Sequence, residues 1–186
     1  APSYVYRNLD AIVFDIFSRD DASGDLGTSF SGDAWANDTG FDIASDAARA
    51  NTDTLSIPDL DLGANQDDMV VEVQLAAIAA GDEVGVVLRK TDANNYLRAY
   101  VDKGSNEVIL EEVVTGTPAE LASPAFTVST AHEIKAMVQD TRVRVWVDRI
   151  LYVDATTSLT TGTKCGLMAR NASGSTTFKN YYGQGL

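Results

Sequence analysis

Apolar and polar side chains alternate along most of the chain. From Val143 to Val147, every second residue is a valine, and Arg144 and Trp146 occupy the positions between. A period of two places alternate side chains on opposite faces of a β-strand, so the pattern predicts strands with one buried face. The predicted strands cover 11–17, 54–57, 71–75, 84–90, 96–101, 107–114, 133–139, 142–148, 150–154, 164–170 and 176–182.

Turn-forming residues separate these strands at intervals of about ten residues, which predicts an all-β sandwich or barrel. Two alanine-rich segments, 43–50 and 75–80, favour helix by propensity alone, so we expect at most one short helix. No proline-rich or serine/glycine-rich linker interrupts the pattern. We therefore expect a single domain over 11–186, preceded by an N-terminal arm over 1–10.

The acidic balance of the chain restricts its partners. The 186 residues carry 14 Lys and Arg against 27 Asp and Glu, a net charge of −13. Such a surface repels nucleic acid, and no apolar run is long enough to span a membrane. The first residues lack the basic and apolar layout of a secretion signal, so we expect none there. We expect neither nucleic acid nor membrane as a partner. Cys165 is the single cysteine, so stability must come from packing rather than from an internal disulfide.

Several short blocks suggest a known architecture. They are Asp15–Arg19, Leu26–Thr28, Ala34–Trp35, Gly40–Ile43, Gly85–Arg89, Asn95–Leu97, His132–Lys135, Val143–Asp148, Gly162–Thr163, Gly166–Leu167 and Phe178–Tyr181. Their order resembles that of concanavalin A-like, laminin-G-like jelly-roll domains, which occur in phage virion proteins and bacterial surface proteins. The resemblance covers about residues 11–182. It implies a two-sheet antiparallel jelly-roll sandwich with a curved, partly open front face.

The chain departs from this family at one hairpin. Family domains often have glycine directly after the aspartate that corresponds to Asp148, and here Arg149 follows it. Because the usual aspartate-glycine turn is absent, we expect an extended or bulged connection over 147–151.

The acidic residues do not form a glycosidase pattern. Jelly-roll glucanases place three carboxylates at alternating positions of one strand, which brings an acid and a nucleophile onto one face. Apolar residues interrupt Asp67, Asp68 and Glu72, and the adjacent Glu111 and Glu112 point to opposite faces of a strand. A polysaccharide lyase motif and a serine hydrolase elbow are also missing. We expect a protein that is not an enzyme.

A second acidic group suggests calcium. Oxygen-rich loops suit Ca²⁺, and four aspartates surround Gly24: Asp15, Asp20, Asp21 and Asp25. The spacing is not that of an EF-hand. The favoured alternative is structural, with Asp15 paired to Arg19 and the other aspartates in turns and caps, so we expect no required cofactor.

Aromatic and basic residues on the polar sides of predicted strands suggest a glycan-binding face. The candidate ligand-binding residues are Arg89, Tyr96, Arg98, Tyr100, Arg144 and Trp146. We expect them to line the front face together. The alternative is that the rings pack beneath loops and that Arg98 pairs with Glu111 across a hairpin.

Two functional classes share this fold. The favoured one is a non-enzymatic phage virion protein that either decorates the capsid or is associated with the tail. Such a protein could also adhere to a glycan on the cell surface. It would contact other virion proteins and form a homo-oligomer through sheet edges or through Tyr4 and Tyr6. The alternative is a secreted, extracellular carbohydrate-binding module. A jelly-roll glycoside hydrolase or polysaccharide lyase is the second alternative.

Overall fold

The computed structural model describes residues 12–186, and within this range every regular element is a β-strand. In chain order the strands are β1 (Ile12–Asp15), β2 (Phe41–Ile43), β3 (Ala48–Thr52), β4 (Asp59–Asp61), β5 (Met69–Ala77), β6 (Glu83–Asp92), β7 (Asn95–Asp102), β8 (Glu107–Val114), β9 (Thr117–Ala122), β10 (His132–Gln139), β11 (Arg142–Val147), β12 (Ile150–Thr156), β13 (Lys164–Arg170) and β14 (Ala172–Gly185). The predicted arm over 1–10, with Tyr4 and Tyr6, lies outside the described residues.

The strands form two antiparallel sheets, which confirms the predicted all-β sandwich. The eight-stranded sheet has the order β12-β11-β10-β5-β14-β3-β2, and β1 also pairs with β14. The six-stranded sheet has the order β4-β13-β6-β7-β8-β9. None of the described residues forms a helix long and apolar enough to cross a membrane.

The alternating pattern places one side of each sheet in a shared core. On β11, Val143, Val145 and Val147 are fully buried. The apolar positions of β7, Leu97 and Ala99, contribute to the same core from the opposite sheet. Removing a valine or leucine side chain from water in this way contributes about 1.5–3 kcal/mol. The intervening positions of both strands face outward, and these outer faces carry the candidate ligand residues.

Packing overrides helix propensity in the alanine-rich segments. Ala48 and Ala50 lie in β3 and are fully buried in the shared core, so burial in the sheet outweighs their preference for helix. Ser45 and Asp46 adopt positive φ angles of 53° and 56°, which makes the turn between β2 and β3. The other segment is the end of β5, up to Ala77.

The strand predicted over 54–57 is wrong. Only Ser56 pairs, as an isolated bridge with Ala169, and Pro58 separates it from β4. Proline has no N–H to donate, so a regular ladder cannot continue through that position. The short strands β2, β3, β4 and the edge strand β9 were not predicted, because their few residues lack a clear alternation.

The hairpin between β11 and β12 also differs from expectation. Val147 pairs directly with Ile150, and Asp148 and Arg149 have φ angles of 49° and 69°. This is a tight two-residue turn with both central residues in the left-handed region, so the predicted extended or bulged connection is wrong. The register shift lies further from the turn, between the Trp146–Leu151 pair and the Val145–Val153 pair.

Candidate functional site

The six candidate ligand residues do not share a face, which corrects the prediction of one common front face. Tyr96, Arg98 and Tyr100 belong to β7 in the six-stranded sheet, whereas Arg144 and Trp146 belong to β11 in the eight-stranded sheet. Both sets point away from the core, so they lie on opposite sides of the sandwich. The candidate residues of β7 and β11 therefore belong to two separate surfaces.

The β7 surface is closed by its own side chains. Tyr100 and Arg98 are 2% and 4% exposed, and Arg98 donates from Nε to Glu111 Oε2 over 2.5 Å. The Tyr100 hydroxyl donates to the same oxygen over 3.1 Å. Burial, reinforced by the Glu111 carboxylate, raises the pKa of Tyr100. The alternative pairing of Arg98 with Glu111 is confirmed, and these polar groups are occupied by one another.

Arg89 of β6 links its sheet to the loops that precede β5 and follow β12 in the other sheet. Its guanidinium donates to the backbone oxygens of Asp67 and Leu159, each over 2.6 Å, and to Asp68 over 2.7 Å. The residue is 1% exposed. A buried arginine that uses its donors on backbone oxygens and one carboxylate holds loops in place. The structure therefore places Arg89 away from any ligand-accessible face.

Trp146 occupies a different environment. Its indole is half-buried on the outer face of β11 and lines a cavity of about 530 Å³. Lys135 of β10 lies directly opposite Trp146, and Glu72 of β5 lies opposite Lys135. We call this surface the Trp146 groove; its lining residues are Glu72, Glu133, Lys135, Met137, Trp146 and Arg149.

The charged groups of the Trp146 groove are loosely paired. Lys135 Nζ lies 3.6 Å from Glu72 Oε2, and Arg149 Nε lies 3.7 Å from Glu133 Oε1. Both separations exceed hydrogen-bond distance, so the pairs attract without saturating each other. The carboxylates can accept, and the cations can donate, hydrogen bonds to hydroxyl groups placed over the indole. This is the chemistry of a site for polyhydroxylated ligands.

Hydrogen bonds that connect Ser129, His132 and Asp148 hold the hairpin end of the groove, and we call this arrangement the clamp. The sequence analysis did not predict it. His132 Nδ1 lies 2.7 Å from Asp148 Oδ2, and the Ser129 N–H donates to His132 Nε2 over 2.8 Å. Asp148 Oδ1 also accepts the Glu133 N–H over 2.9 Å. Partial burial acts to raise the pKa of Asp148, but the Glu133 backbone and the His132 ring outweigh it and lower that pKa. His132 and Asp148 lie 16 residues apart in the sequence, so no local motif indicates that they are in contact.

This serine, histidine and aspartate arrangement resembles a catalytic triad only in composition. The Ser129 hydroxyl lies 3.0 Å from His132 Nε2, but the Ser129 backbone N–H already donates to that nitrogen. A general base needs its lone pair free to take the hydroxyl proton. With Nε2 accepting a backbone N–H, the arrangement acts as a structural clamp.

A second cleft, of about 350 Å³, lies at the end of the β7 surface beside Tyr96. Two of its polar side chains bind one buried carboxylate. Asn37 Nδ2 donates to the buried Asp59 over 2.7 Å, and the Lys90 ammonium contacts the same carboxylate oxygen. Lys164 lies 3.6 Å from the other oxygen, beyond hydrogen-bond distance. The buried Asp59 carboxylate therefore occupies two donors of this cleft, those of Asn37 and Lys90.

The four aspartates proposed for calcium are not brought together. Asp15 is fully buried, and its carboxylate is surrounded by donors: Arg19 at 2.8 and 2.6 Å, Trp35 Nε1 at 2.7 Å and the Phe17 N–H at 2.8 Å. The Asp15–Arg19 pair confirms the structural alternative. The remaining three are exposed: Asp20, Asp21 and Asp25. Among residues 12–186, no group of three or more His, Cys, Asp or Glu residues is placed to hold a metal ion.

The adjacent carboxylates Glu111 and Glu112 point to opposite sides of β8, as expected. Glu111 binds Arg98 on the outer face, whereas Glu112 accepts from Thr157 and from Ser158 on the other side. Partial burial opposes ionisation of Glu112, but these donors outweigh it and lower its pKa. The pair therefore cannot act together on one bond.

Known structures share this fold. No protein-family model matches the chain, and no curated protein matches it significantly. A carbohydrate-binding module, CBM66 from Bacillus subtilis, superposes with a TM-score of 0.64 at 16% identity, over 82% of this chain and 92% of that one. The VIP36 exoplasmic/lumenal domain in its Ca²⁺/Man3GlcNAc-bound form gives a TM-score of 0.63 at 13% identity, over 96% and 90%.

A longer protein also contains a region with this fold. The GH43 BlXynB protein from Bacillus licheniformis superposes with a TM-score of 0.63 at 15% identity. The match covers 92% of this chain but only 38% of that protein. At such low identities these similarities establish the fold alone, and it is a jelly-roll sandwich of the concanavalin A-like type.

Proposed function

We propose that this domain binds carbohydrate through the Trp146 groove and is not itself an enzyme. The observation that carries the proposal is the half-buried indole of Trp146 beside two loosely paired sets of charges, Lys135 with Glu72 and Arg149 with Glu133. The apolar face of a sugar ring stacks on an indole, while its hydroxyl groups bridge carboxylates and cations. The similar carbohydrate-binding structures support this proposal over a virion role.

The backbone at Arg149 supports a functional role for this side chain. A non-glycine residue in the left-handed region costs roughly 1–2 kcal/mol, and the second position of this turn suits glycine. The Arg149 side chain is 87% exposed, so its packing offsets little of this conformational cost. Strain of this kind is often found where a side chain is needed for binding. An extracellular location suits a glycan-binding domain and belongs to the same proposal.

The proposal is tested by affinity electrophoresis in gels containing soluble polysaccharides. The panel comprises xylan, mixed-linkage β-glucan, galactomannan and levan, with polygalacturonate and alginate as acidic members. We expect at least one neutral polysaccharide to retard the protein, and Trp146→Ala to abolish the retardation. Phe30→Ala is the matched control, because Phe30 is an exposed aromatic residue outside the groove.

Two outcomes would contradict the proposal. Normal mobility of the wild-type protein on every polysaccharide would remove carbohydrate binding as its function. If Phe30→Ala and Trp146→Ala reduced the retardation equally, the binding surface would lie outside the Trp146 groove.

A further inference from the structure

The Trp146 groove continues along the sheet into a second depression. This depression, of about 280 Å³, lies between the far ends of β10 and β11 and includes Arg142 and Arg144 in its lining. Met137 lines both cavities. The pairing explains this continuity, because Met137 lies opposite Arg144, one outward-facing row beyond Lys135 and Trp146. The two cavities therefore form one trough along the strands.

The trough is longer than a single sugar ring. Its outward-facing β10 positions run from Glu133 to Gln139, and an antiparallel strand rises ~3.4 Å per residue, which gives ~20 Å. Half-buried side chains form its floor at Lys135, Met137 and Trp146. A surface of this length accommodates several pyranose rings placed end to end.

The charges along the trough cancel. The two cavities are lined by four cations, Lys135, Arg142, Arg144 and Arg149, and by three carboxylates, Glu72, Glu133 and Asp140. A fourth carboxylate, Asp154, does not line either cavity but pairs with Arg142 and lies 3.8 Å from Arg144. Arg142 binds Asp154 and lowers its pKa, so this carboxylate stays charged at neutral pH. A locally neutral trough gives a polyanion no net attraction, and the chain's charge of −13 opposes it at longer range.

We infer that the trough binds the interior of a linear, neutral polysaccharide chain, with one sugar over Trp146 and further sugars towards Arg144. This inference rests on the proposed carbohydrate-binding function and specifies its ligand. Arg144 lies 3.8 Å from Asp154, beyond hydrogen-bond distance, so its guanidinium keeps donors for a second sugar. Met137 supplies the apolar floor between the two positions.

The test is isothermal titration calorimetry of the full chain with oligosaccharides of one to six sugar units. These oligosaccharides are prepared from each neutral polysaccharide of the panel that retards the protein. We expect the affinity to rise at least about tenfold from monosaccharide to tetrasaccharide, as successive subsites fill. Arg144→Ala should lower the affinity for tetrasaccharide several-fold and leave that for monosaccharide unchanged. Trp146→Ala should weaken binding of every length.

The matched control is Lys179→Ala, which removes an exposed cation on β14 outside the trough and should bind all lengths as the wild type does. Equal affinity for monosaccharide and tetrasaccharide, with no effect of Arg144→Ala, would overturn the chain-binding inference while leaving carbohydrate binding intact. Failure of every oligosaccharide and polysaccharide to bind would instead overturn the proposed function. Preferential binding of the acidic polysaccharides would contradict the neutral ligand class.

Discussion

His132 Nδ1 lies 2.7 Å from Oδ2 of Asp148, the residue that precedes Arg149 in the β11–β12 hairpin. The same aspartate accepts the backbone N–H of Glu133, so one carboxylate joins the start of β10 to the hairpin. Glu133 and Arg149 face each other across the end of the Trp146 groove. The clamp therefore positions two groove residues without contacting the proposed ligand.

The first prediction concerns the pH dependence of this clamp. The folded-state pKa of Asp148 is lowered, so its ionised form stabilises the fold at pH values above its unfolded pKa. That contribution is lost as the pH falls below about 4 and through the lowered folded pKa. Asp148→Asn keeps a side chain that tolerates the left-handed turn but removes the charge. We expect this variant to be less stable than the wild type at pH 7.

Urea unfolding at pH 7, 5 and 3 measures the effect. The difference in unfolding free energy between wild type and Asp148→Asn should shrink towards pH 3, because the carboxyl of the unfolded wild-type chain becomes protonated there, which reduces the stability that the folded, ionised carboxylate contributes. A difference that stays constant over this range would show that the charge of Asp148 does not stabilise the clamp.

The second prediction separates stability from binding at Arg149. Arg149→Gly should raise the free energy of unfolding by about 1 kcal/mol, because glycine adopts a φ of 69° without steric cost. The lost contact with Glu133 subtracts little, since exposed ion pairs contribute about 0–1 kcal/mol. The same variant should bind the retarding polysaccharide more weakly. Thermal melts and affinity electrophoresis check the two effects, and unchanged binding would remove Arg149 from the site.

Much of the fold could be predicted from alternation. On β11, three buried valines identify the core side, and Arg144 and Trp146 identify the outer side. Alternation does not indicate which of the two sheets a strand joins. Tyr96 on β7 and Trp146 on β11 therefore looked equivalent, although the two sheets place them on opposite surfaces.

The sequence pattern also does not show how far an outward-facing side chain is exposed to solvent. An outward-facing residue is exposed only if its neighbours leave it open, and these neighbours come from other strands. Tyr100 lies opposite Gly85, packs in an apolar cluster with Ile109 and Met168 from neighbouring strands, and binds Glu111, so it is 2% exposed. A β-carbon at residue 85 would lie 2.5 Å from the Tyr100 Cα atom. Such cross-strand packing depends on the register, which the sequence did not provide.

The third prediction compares Tyr100 and Trp146 by how much each contributes to the free energy of unfolding. Tyr100→Ala should cost about 3–5 kcal/mol, because it empties a buried site and leaves Arg98 and Glu111 with one partner fewer. Trp146→Ala should cost much less, because the indole is half-buried and three valines supply the core side of its strand. Urea unfolding of both variants gives the comparison. Similar large losses would indicate that Trp146 is a packing residue rather than a binding platform.

The fourth prediction concerns calcium. Asp15 is already saturated by Arg19, Trp35 and a backbone N–H, so it has little capacity to bind a cation. We expect millimolar Ca²⁺ to leave the melting temperature within the small change produced by an equal concentration of Mg²⁺. A ligand that binds only the folded state raises the melting temperature by mass action. A rise of several degrees with Ca²⁺ alone, reversed by chelator, would identify a calcium site.

The fifth prediction concerns the single cysteine. Cys165 is fully buried on the core side of β13, and its Sγ accepts a hydrogen bond from the Tyr181 hydroxyl over 3.0 Å. Burial raises the pKa of the thiol to about 12, so almost no reactive thiolate is present at pH 8. A thiol reagent such as 5,5′-dithiobis(2-nitrobenzoic acid) should therefore label the protein only as it unfolds. Across a urea titration, labelling should follow the unfolding curve measured by circular dichroism. Rapid labelling of the native protein, with its circular dichroism unchanged, would show that the two sheets separate locally at β13 and β14.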